Sequence, residues 1–513
     1  AEALTMAGGM MGTVLKWVTC CGVLTMILMC VAVLIAFPRP ETALPTMLRM
    51  GGRARRCLGM EHQDDAVLCM VDLLTPPYDV RGWDAPKKPR ASPEAKSTPR
   101  PAEEKKKEKT VEAWEKSISL RWQAPFYSGG GYCSEAISYV EELSKHLPVS
   151  IAQHGDSFNP NFARGLPEGL SGLLNSAMRK KPPINVPLVE VCHSEPGAWS
   201  LPTPRYHTSA CPSSEAAFTI GRTMFETDRL PEGWVDRLNK MDLIWVPTSF
   251  ARAVFEGGGV DAKRLRVVPE AVDTALFDPT KHAALDVMAA DSRYKFLSVF
   301  KWEERKGWDI LLRAFLAEFP SPDSGAALYI RTTAYHSDSE FEERVATFAR
   351  ETLKMAPDAP LSHIIILKDE LPLQDLPRLY AGADCFVLAS RGEGWGRPHI
   401  EAMAMGVPTM ATNWSGNTEF MKEHNSFLIP IDGLVPVREG AFKGHLWADP
   451  SVDGLRRLLR SVFSDPASAR EVGKRGGAWV RERYNPQRVG ALVLAELRTI
   501  AATLIARQKG AEL

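Results

Sequence analysis

From about Thr110 onward the chain alternates short apolar runs with amphipathic stretches, and this alternation restricts the fold more than any other feature. Strands separated by helices cannot pair as hairpins; they cross over and pair in parallel, with helices covering both sheet faces. One series of runs predicts strands at 118–125, 149–153, 187–191, 217–225, 243–247 and 265–269. A second predicts them at 294–300, 327–332, 363–367, 385–389, 408–412 and 426–430, after a hinge at 271–279. The expectation is an α/β chain with two Rossmann-like, doubly wound domains. Their C-terminal strand ends face a cleft, where open α/β sheets bind ligands.

The part before this is different in kind. Residues 18–37 (VTCCGVLTMILMCVAVLIAF) contain no charge, Asn, Gln or Pro. At about 1.5 Å per residue such a helix crosses a bilayer core of about 30 Å. The run is too long for a signal-peptide core and meets Arg39 and Pro40 directly, so it is read as an uncleaved transmembrane signal anchor behind a tail, 1–17. Residues 86–109 hold nine Lys/Arg, four Glu and five Pro, with no aliphatic residue larger than Ala. They cannot offset the entropy of ordering and should form a solvated stalk within a juxtamembrane region, 38–116. The expected domains are then 117–275, 276–485 and a C-terminal helix, 486–513. The 62 Lys+Arg cancel the 62 Asp+Glu, which gives no electrostatic case for a nucleic-acid partner, and none is expected.

Two stretches carry candidate chemistry. After the first strand, Ser128-Gly129-Gly130-Gly131 opens a helix, so backbone N–H groups face a gap without side-chain obstruction and can cradle an anion or a sugar. In 384–421 (DCFVLASRGEGWGRPHIEAMAMGVPTMATNWSGNTEFM), a buried strand leads to a loop with Gly392, Gly394 and Gly396, and Arg397-Pro398 starts a helix. Glu393 in the loop and Glu401 in the helix can point into one pocket, where carboxylates accept hydrogen bonds from vicinal sugar hydroxyls.

This stretch resembles the retaining family-4 (group 1) glycosyltransferases of the GT-B fold, whose hallmark is Glu, seven residues, Glu in a strand-loop-helix setting. A second element, FLSVFKWEERKGWDIL at 296–311, resembles the family's Gly-Arg…Lys-Gly segment; Lys306 is kept, while Phe300-Lys301 replaces Gly-Arg. A lysine keeps the charge and loses the bidentate fork. A third, Val268-Pro269-Glu270-Ala271-Val272-Asp273, resembles the interdomain Pro-Asn-Gly-Val-Asp, with Glu-Ala for Asn-Gly.

The resemblance covers about 117–500 and implies an acceptor-binding first half and a nucleotide-sugar-binding second half. It implies a hexosyltransferase that moves a sugar from a nucleotide diphosphate to a glycan, lipid or protein acceptor with retention of configuration. Lys301 and Lys306 would neutralise the diphosphate, with Gly394, Trp395 and Gly396 forming the donor loop. Glu401 would hold the ribose, and Glu393 the donor sugar. His193, just past a strand, could face the cleft beside it as a second catalytic residue. No metal or cofactor is expected, since no Asp-x-Asp stands at a strand end and no Cys/His cluster has zinc spacing. The alternatives are a nucleotide-sugar epimerase of the same fold, or an inactive membrane-anchored sugar-binding protein.

Of nine Cys, only Cys57 and Cys69 look like a loop-closing disulfide, and Cys385 reads as a buried apolar residue. Anchor, stalk and catalytic region together look like a Golgi or endoplasmic-reticulum enzyme with a lumenal active site. Against that reading, Arg39, Arg49, Arg53, Arg55 and Arg56 follow the anchor while only Lys16 precedes it, and the sequon Asn413-Trp414-Ser415 falls in the donor-site loop.

Overall fold

A computed structural model describes residues 114–511, apart from 200–209, 335–339, 357–362 and 369–370. The anchor, almost all of the stalk and the Cys57/Cys69 pair lie outside the described residues. The first series of apolar runs forms one parallel sheet from β1 (Ser119–Ala124), β2 (Val149–Gln153), β3 (Leu188–His193), β4 (Ala216–Arg222), β5 (Leu243–Val246) and β6 (Leu265–Val267). The second forms another from β7 (Tyr294–Trp302), β8 (Ala326–Ala334), β9 (His363–Leu367), β10 (Cys385–Leu388), β11 (Thr409–Thr412) and β12 (Phe427–Ile429). Every expected strand is present, with ends that move by a few residues. β3, β10 and β11 are buried along their whole length, so they do not alternate apolar and polar faces, and β3 also buries Glu190 and His193.

The strand orders locate the site. The first sheet runs β2-β1-β3-β4-β5-β6 and the second β12-β11-β10-β7-β8-β9. The order reverses between β1 and β3, and between β7 and β10. At such a switch point neighbouring crossovers leave on opposite faces, so the loops at the strand ends part and open a crevice. The glycine loop follows β1 into α1 (Gly131–Leu143); the lysine segment follows β7 into α2 (Trp308–Glu318); the Glu393 loop follows β10 into α3 (Arg397–Ala404).

After α4 (Val452–Ser464) and α5 (Pro466–Arg483), α6 (Pro486–Ala511) returns to the first domain. Its Val489, Val493, Leu497, Ile500 and Leu504 form one stripe at helical spacing, buried in the core that surrounds β1 and α1. By length and composition 466–508 would suffice to cross a membrane, but its apolar stripe is occupied by this core contact.

Two features depart from expectation. An antiparallel hairpin, β13 (Ile431–Pro436) with β14 (Leu446–Pro450), follows the second sheet. It reaches the first domain: Asp228 N–H donates to the Leu446 carbonyl at 3.0 Å, Leu446 N–H donates to the Asp228 carboxylate at 2.6 Å, and Phe442 and His445 pack on Phe225. β13 is largely exposed and so lacks the apolar run that marks the other strands. The second departure is a buried disulfide, Cys192–Cys211, where only Cys57 and Cys69 were expected to pair. It joins the end of β3 to a segment 19 residues on, a proximity set by tertiary folding. Cys385 is buried and free, as its strand position suggested.

Leu497 is fully buried. Leu497→Ala should lower the unfolding free energy by about 2–5 kcal/mol, as for other core truncations. A denaturant titration that finds less than about 1 kcal/mol would show α6 to be peripheral to the first domain's core.

Candidate active site

The loops at the two switch points enclose a cavity of about 530 Å³. Its second-domain wall is built where β7 and β10 end. β7 delivers Lys301, and a single turn, Glu304–Lys306, leads to Gly307 and α2. Gly307 has φ of 64°, and a side chain there would overlap the Ala389 carbonyl just after β10. The two loops touch at this point, and that contact requires the glycine of the Lys-Gly pair. Arg391 continues the junction, with its guanidinium donating to both Asp309 carboxylate oxygens at 2.8 and 2.7 Å.

The contact brings Lys306 to Glu393. Lys306 Nζ donates to Glu393 Oε1 at 2.8 Å and to Oε2 at 2.9 Å, and the Glu393 N–H donates to Ser415 Oγ at 2.8 Å. Arg305 lies beside them: it donates to the Gly392 carbonyl at 2.9 Å, pairs with Glu226 of the first domain at 3.1 Å, and sits 3.6 Å from Glu393. Burial alone would raise the Glu393 pKa, but Lys306 and Arg305 outweigh it and hold the carboxyl at about 2. Glu401 lies deeper along α3, where it accepts a hydrogen bond from Tyr380 Oη at 2.9 Å and lies 3.8 Å from Arg397. Burial raises its pKa against the pull of Arg397.

Arg397 opens α3 and also donates to Glu270 at 3.2 Å and to the Ala271 carbonyl at 3.4 Å. Glu270, the residue that departs from the Asn-Gly pattern, is 1% exposed and lines the cavity. Burial and the nearby Glu135 raise its pKa, against the pull of Arg397 and Arg222. The first-domain wall consists of Gly129, Gly130, Gly131, Tyr132, Ser134, Met224 and Glu226.

Gly129, Gly130, Gly131, Lys301, Lys306, Glu393, Gly394, Gly396 and Glu401 thus meet around one cavity. Trp395 belongs to its lining, but the residue is 1% exposed and its indole packs against Phe420 and Tyr484, so it offers no ring to a ligand. His193 requires a correction: it does not face the cleft. It is fully buried; Nδ1 accepts from Trp122 Nε1 at 3.0 Å, Nε2 lies 2.9 Å from Glu135, and burial holds its pKa below the usual value. At the C-terminal end of β3, His193 packs edge-on against Tyr132 of the cavity wall, so it stands behind that wall and not in the lining. Arg305, Arg331, Arg397, Glu226 and Glu270 line the cavity without having been singled out as ligands. Arg305 was legible as the neighbour of Lys306; Glu226 carries no local signal. Among the described residues no three His, Cys, Asp or Glu side chains converge as a metal site.

The depressed Glu393 pKa means that the ionised pair adds stability above about pH 4.5 and loses it as the pH falls through about 2. Glu393→Gln should therefore be less stable than the parent at pH 7, and the gap should close between pH 4.5 and 2 in denaturant titrations. A gap that does not change with pH would rule out this pairing.

Residues 293–435 match the family model described as glycosyl transferases group 1. The chain is similar to the lipopolysaccharide core biosynthesis mannosyltransferase LpsB of Rhizobium meliloti, 31% identical over 34% of this chain and 49% of that protein. It is also similar to the GDP-mannose-dependent alpha-(1-6)-phosphatidylinositol monomannoside mannosyltransferase of Mycolicibacterium smegmatis, 24% identical over 50% of this chain and 62% of that protein. The chain spans about half the length of the curated relatives it matches. Among solved structures, Anabaena HepE in complex with UDP superimposes with a TM-score of 0.51 at 14% identity, over 74% of this chain and 100% of that one. These likenesses and the two facing parallel sheets agree: residues 293–435 are similar to the glycosyl transferases group 1 domain, within a two-domain fold of the GT-B type.

Proposed function

We propose that the chain is a glycosyltransferase that moves a hexose from a nucleotide-diphosphate sugar to an acceptor hydroxyl with retention of anomeric configuration. The observation that carries this reading is the meeting of Lys306 and Glu393 at the switch point between β7 and β10, with Lys301 and Arg305 on the same wall. Cations gathered at parallel strand ends suit a diphosphate, and buried carboxylates beside them suit sugar hydroxyls. In the reaction the bond from the anomeric carbon to the β-phosphate oxygen breaks, and its electron pair stays on the phosphate. The acceptor oxygen forms the new bond at the same face and gives its proton to the departing phosphate. Lys301, Arg305 and Lys306 stabilise the charge that develops there, so neutralisation needs no metal ion. Glu401 takes the ribose hydroxyls, and Glu393 orients Lys306 and the donor sugar.

The mannosyltransferases among the relatives support a hexose as the transferred group. The buried Cys192–Cys211 disulfide supports a catalytic part exposed to an oxidising compartment. With residues 18–37 read as an anchor, it supports a single-pass membrane protein of the Golgi or endoplasmic reticulum whose catalytic part is lumenal.

Incubation with labelled nucleotide sugars and glycan acceptors should give a glycoside whose anomeric proton coupling matches that of the donor; interconversion of the donor without transfer would overturn the reading in favour of an epimerase. Lys306→Ala should lower turnover by on the order of 10²–10³-fold while the thermal transition stays cooperative. Unchanged turnover would remove Lys306 from the site. Protease treatment of sealed microsomes should leave 114–511 protected, and its digestion would place the site on the cytosolic face.

A further inference from the structure

A loop of the first domain extends the glycine-loop wall of the cavity and carries side chains that the site does not use. β2 ends at Gln153, and the chain turns at His154-Gly155. Gly155 has φ of 86°, and a side chain there would come within 3.0 Å of Ser194 Cβ, just beyond β3. Glycine lets the turn lie against this switch-point loop and return beside the glycine loop. Asp156 Oδ2 then stands 3.6 Å from the point where a side chain on Gly130 would begin. The Asn159 N–H donates to the Tyr127 carbonyl at 2.7 Å, which fixes the loop to the end of β1. Phe158 packs on Tyr127 with ring centroids 5.4 Å apart and is still 56% exposed.

Phe158 is therefore fixed against the end of β1, while Asp156 is exposed beside the glycine loop. No hydrogen-bond donor among the described residues reaches the Asp156 carboxylate. Lys301, from the other wall, is the charge that acts on Asp156: desolvation by the surrounding loops raises the carboxyl pKa and Lys301 opposes that rise. An exposed carboxylate and an exposed aromatic ring two residues apart on one loop are chemistry suited to a sugar. The carboxylate accepts from two hydroxyls through charge-assisted hydrogen bonds, and the ring covers the apolar C–H face.

We propose that the loop 155–159 is a saccharide subsite for the acceptor, in which Asp156 accepts hydrogen bonds from sugar hydroxyls and Phe158 stacks on the ring. The proposal rests on the glycosyltransferase reading and narrows its acceptor to one with a sugar at the point of attachment. A neutral amide at position 156 loses the charge-assisted bonds, which corresponds to about tenfold or more in affinity.

The test uses the full chain, solubilised, and saturation-transfer difference NMR with a panel of methyl hexopyranosides in the presence of UDP or GDP. At least one methyl hexoside should receive saturation from the parent protein. Asp156→Asn and Phe158→Ala should each weaken that binding about tenfold or more, while the nucleotide affinity, measured by calorimetry, stays the same. A hexoside that binds both variants as well as the parent would overturn the proposal, and so would a parent that binds UDP or GDP but no hexoside. Failure of the parent to bind any nucleoside diphosphate would overturn the glycosyltransferase reading itself.

Discussion

Two arginines, Arg222 fully buried and Arg397 largely so, clamp the crossing between the domains, and the geometry of the site depends on that clamp. A guanidinium keeps its charge at any ordinary pH, so a buried one needs carboxylates and carbonyls in place around it. Arg222, at the end of β4, is fully buried; it pairs with Glu135 of α1 and donates to the Val268 carbonyl at 2.6 Å. Arg397, at the start of α3, takes Glu270 and the Ala271 carbonyl. Segment 268–271 is thus gripped from the first domain and from the second. The same Arg397 fixes the N-terminus of α3, and with it the loop that holds Glu393 and the position of Glu401. His193 belongs to this arrangement, since its bond to Glu135 helps satisfy a carboxylate that Arg222 requires.

The cavity itself holds its cations in readiness. Lys306 is matched by Glu393 and Arg305 by Glu226, so that neither charge is buried without compensation. An incoming diphosphate would compete for these cations with carboxylates already in contact. The Arg305–Glu226 pair also spans the two domains, so an anion that displaced Glu226 from Arg305 would act on the contact between them. Position 301 carries a lysine where the resemblance leads one to expect an arginine; Arg305 places a guanidinium in the same wall, four residues on.

Much of this was legible because it is local. Each strand of the two sheets is a short apolar run, and the strand-loop-helix setting of Glu393 and Glu401 follows from adjacent residues. Lys306 stood beside its glycine, and the glycine loop opened a helix as read. The hairpin β13–β14 escaped notice because an exposed two-stranded ribbon buries little and so needs no apolar run. His193 was misread because a strand-end position does not reveal the face to which a side chain turns. Trp395 was counted as a ligand by its place in the loop, although its ring turns inward onto Phe420 and Tyr484.

By itself the sequence determined two parallel α/β halves, the loops at their strand ends and the residue types those loops carry. Hydrophobic periodicity and backbone chemistry act over a few residues, and they suffice for this. Only the tertiary structure decided which charges meet: Glu135 with Arg222 across 87 residues, Lys306 with Glu393 across 87, and Arg397 with Glu270 across 127. It also decided that Cys192 pairs with Cys211 and that Asp156 stands beside Gly130. Coulomb and hydrogen-bond energies depend on distances of a few ångströms, and over such chain separations those distances are set by how sheets and helices pack.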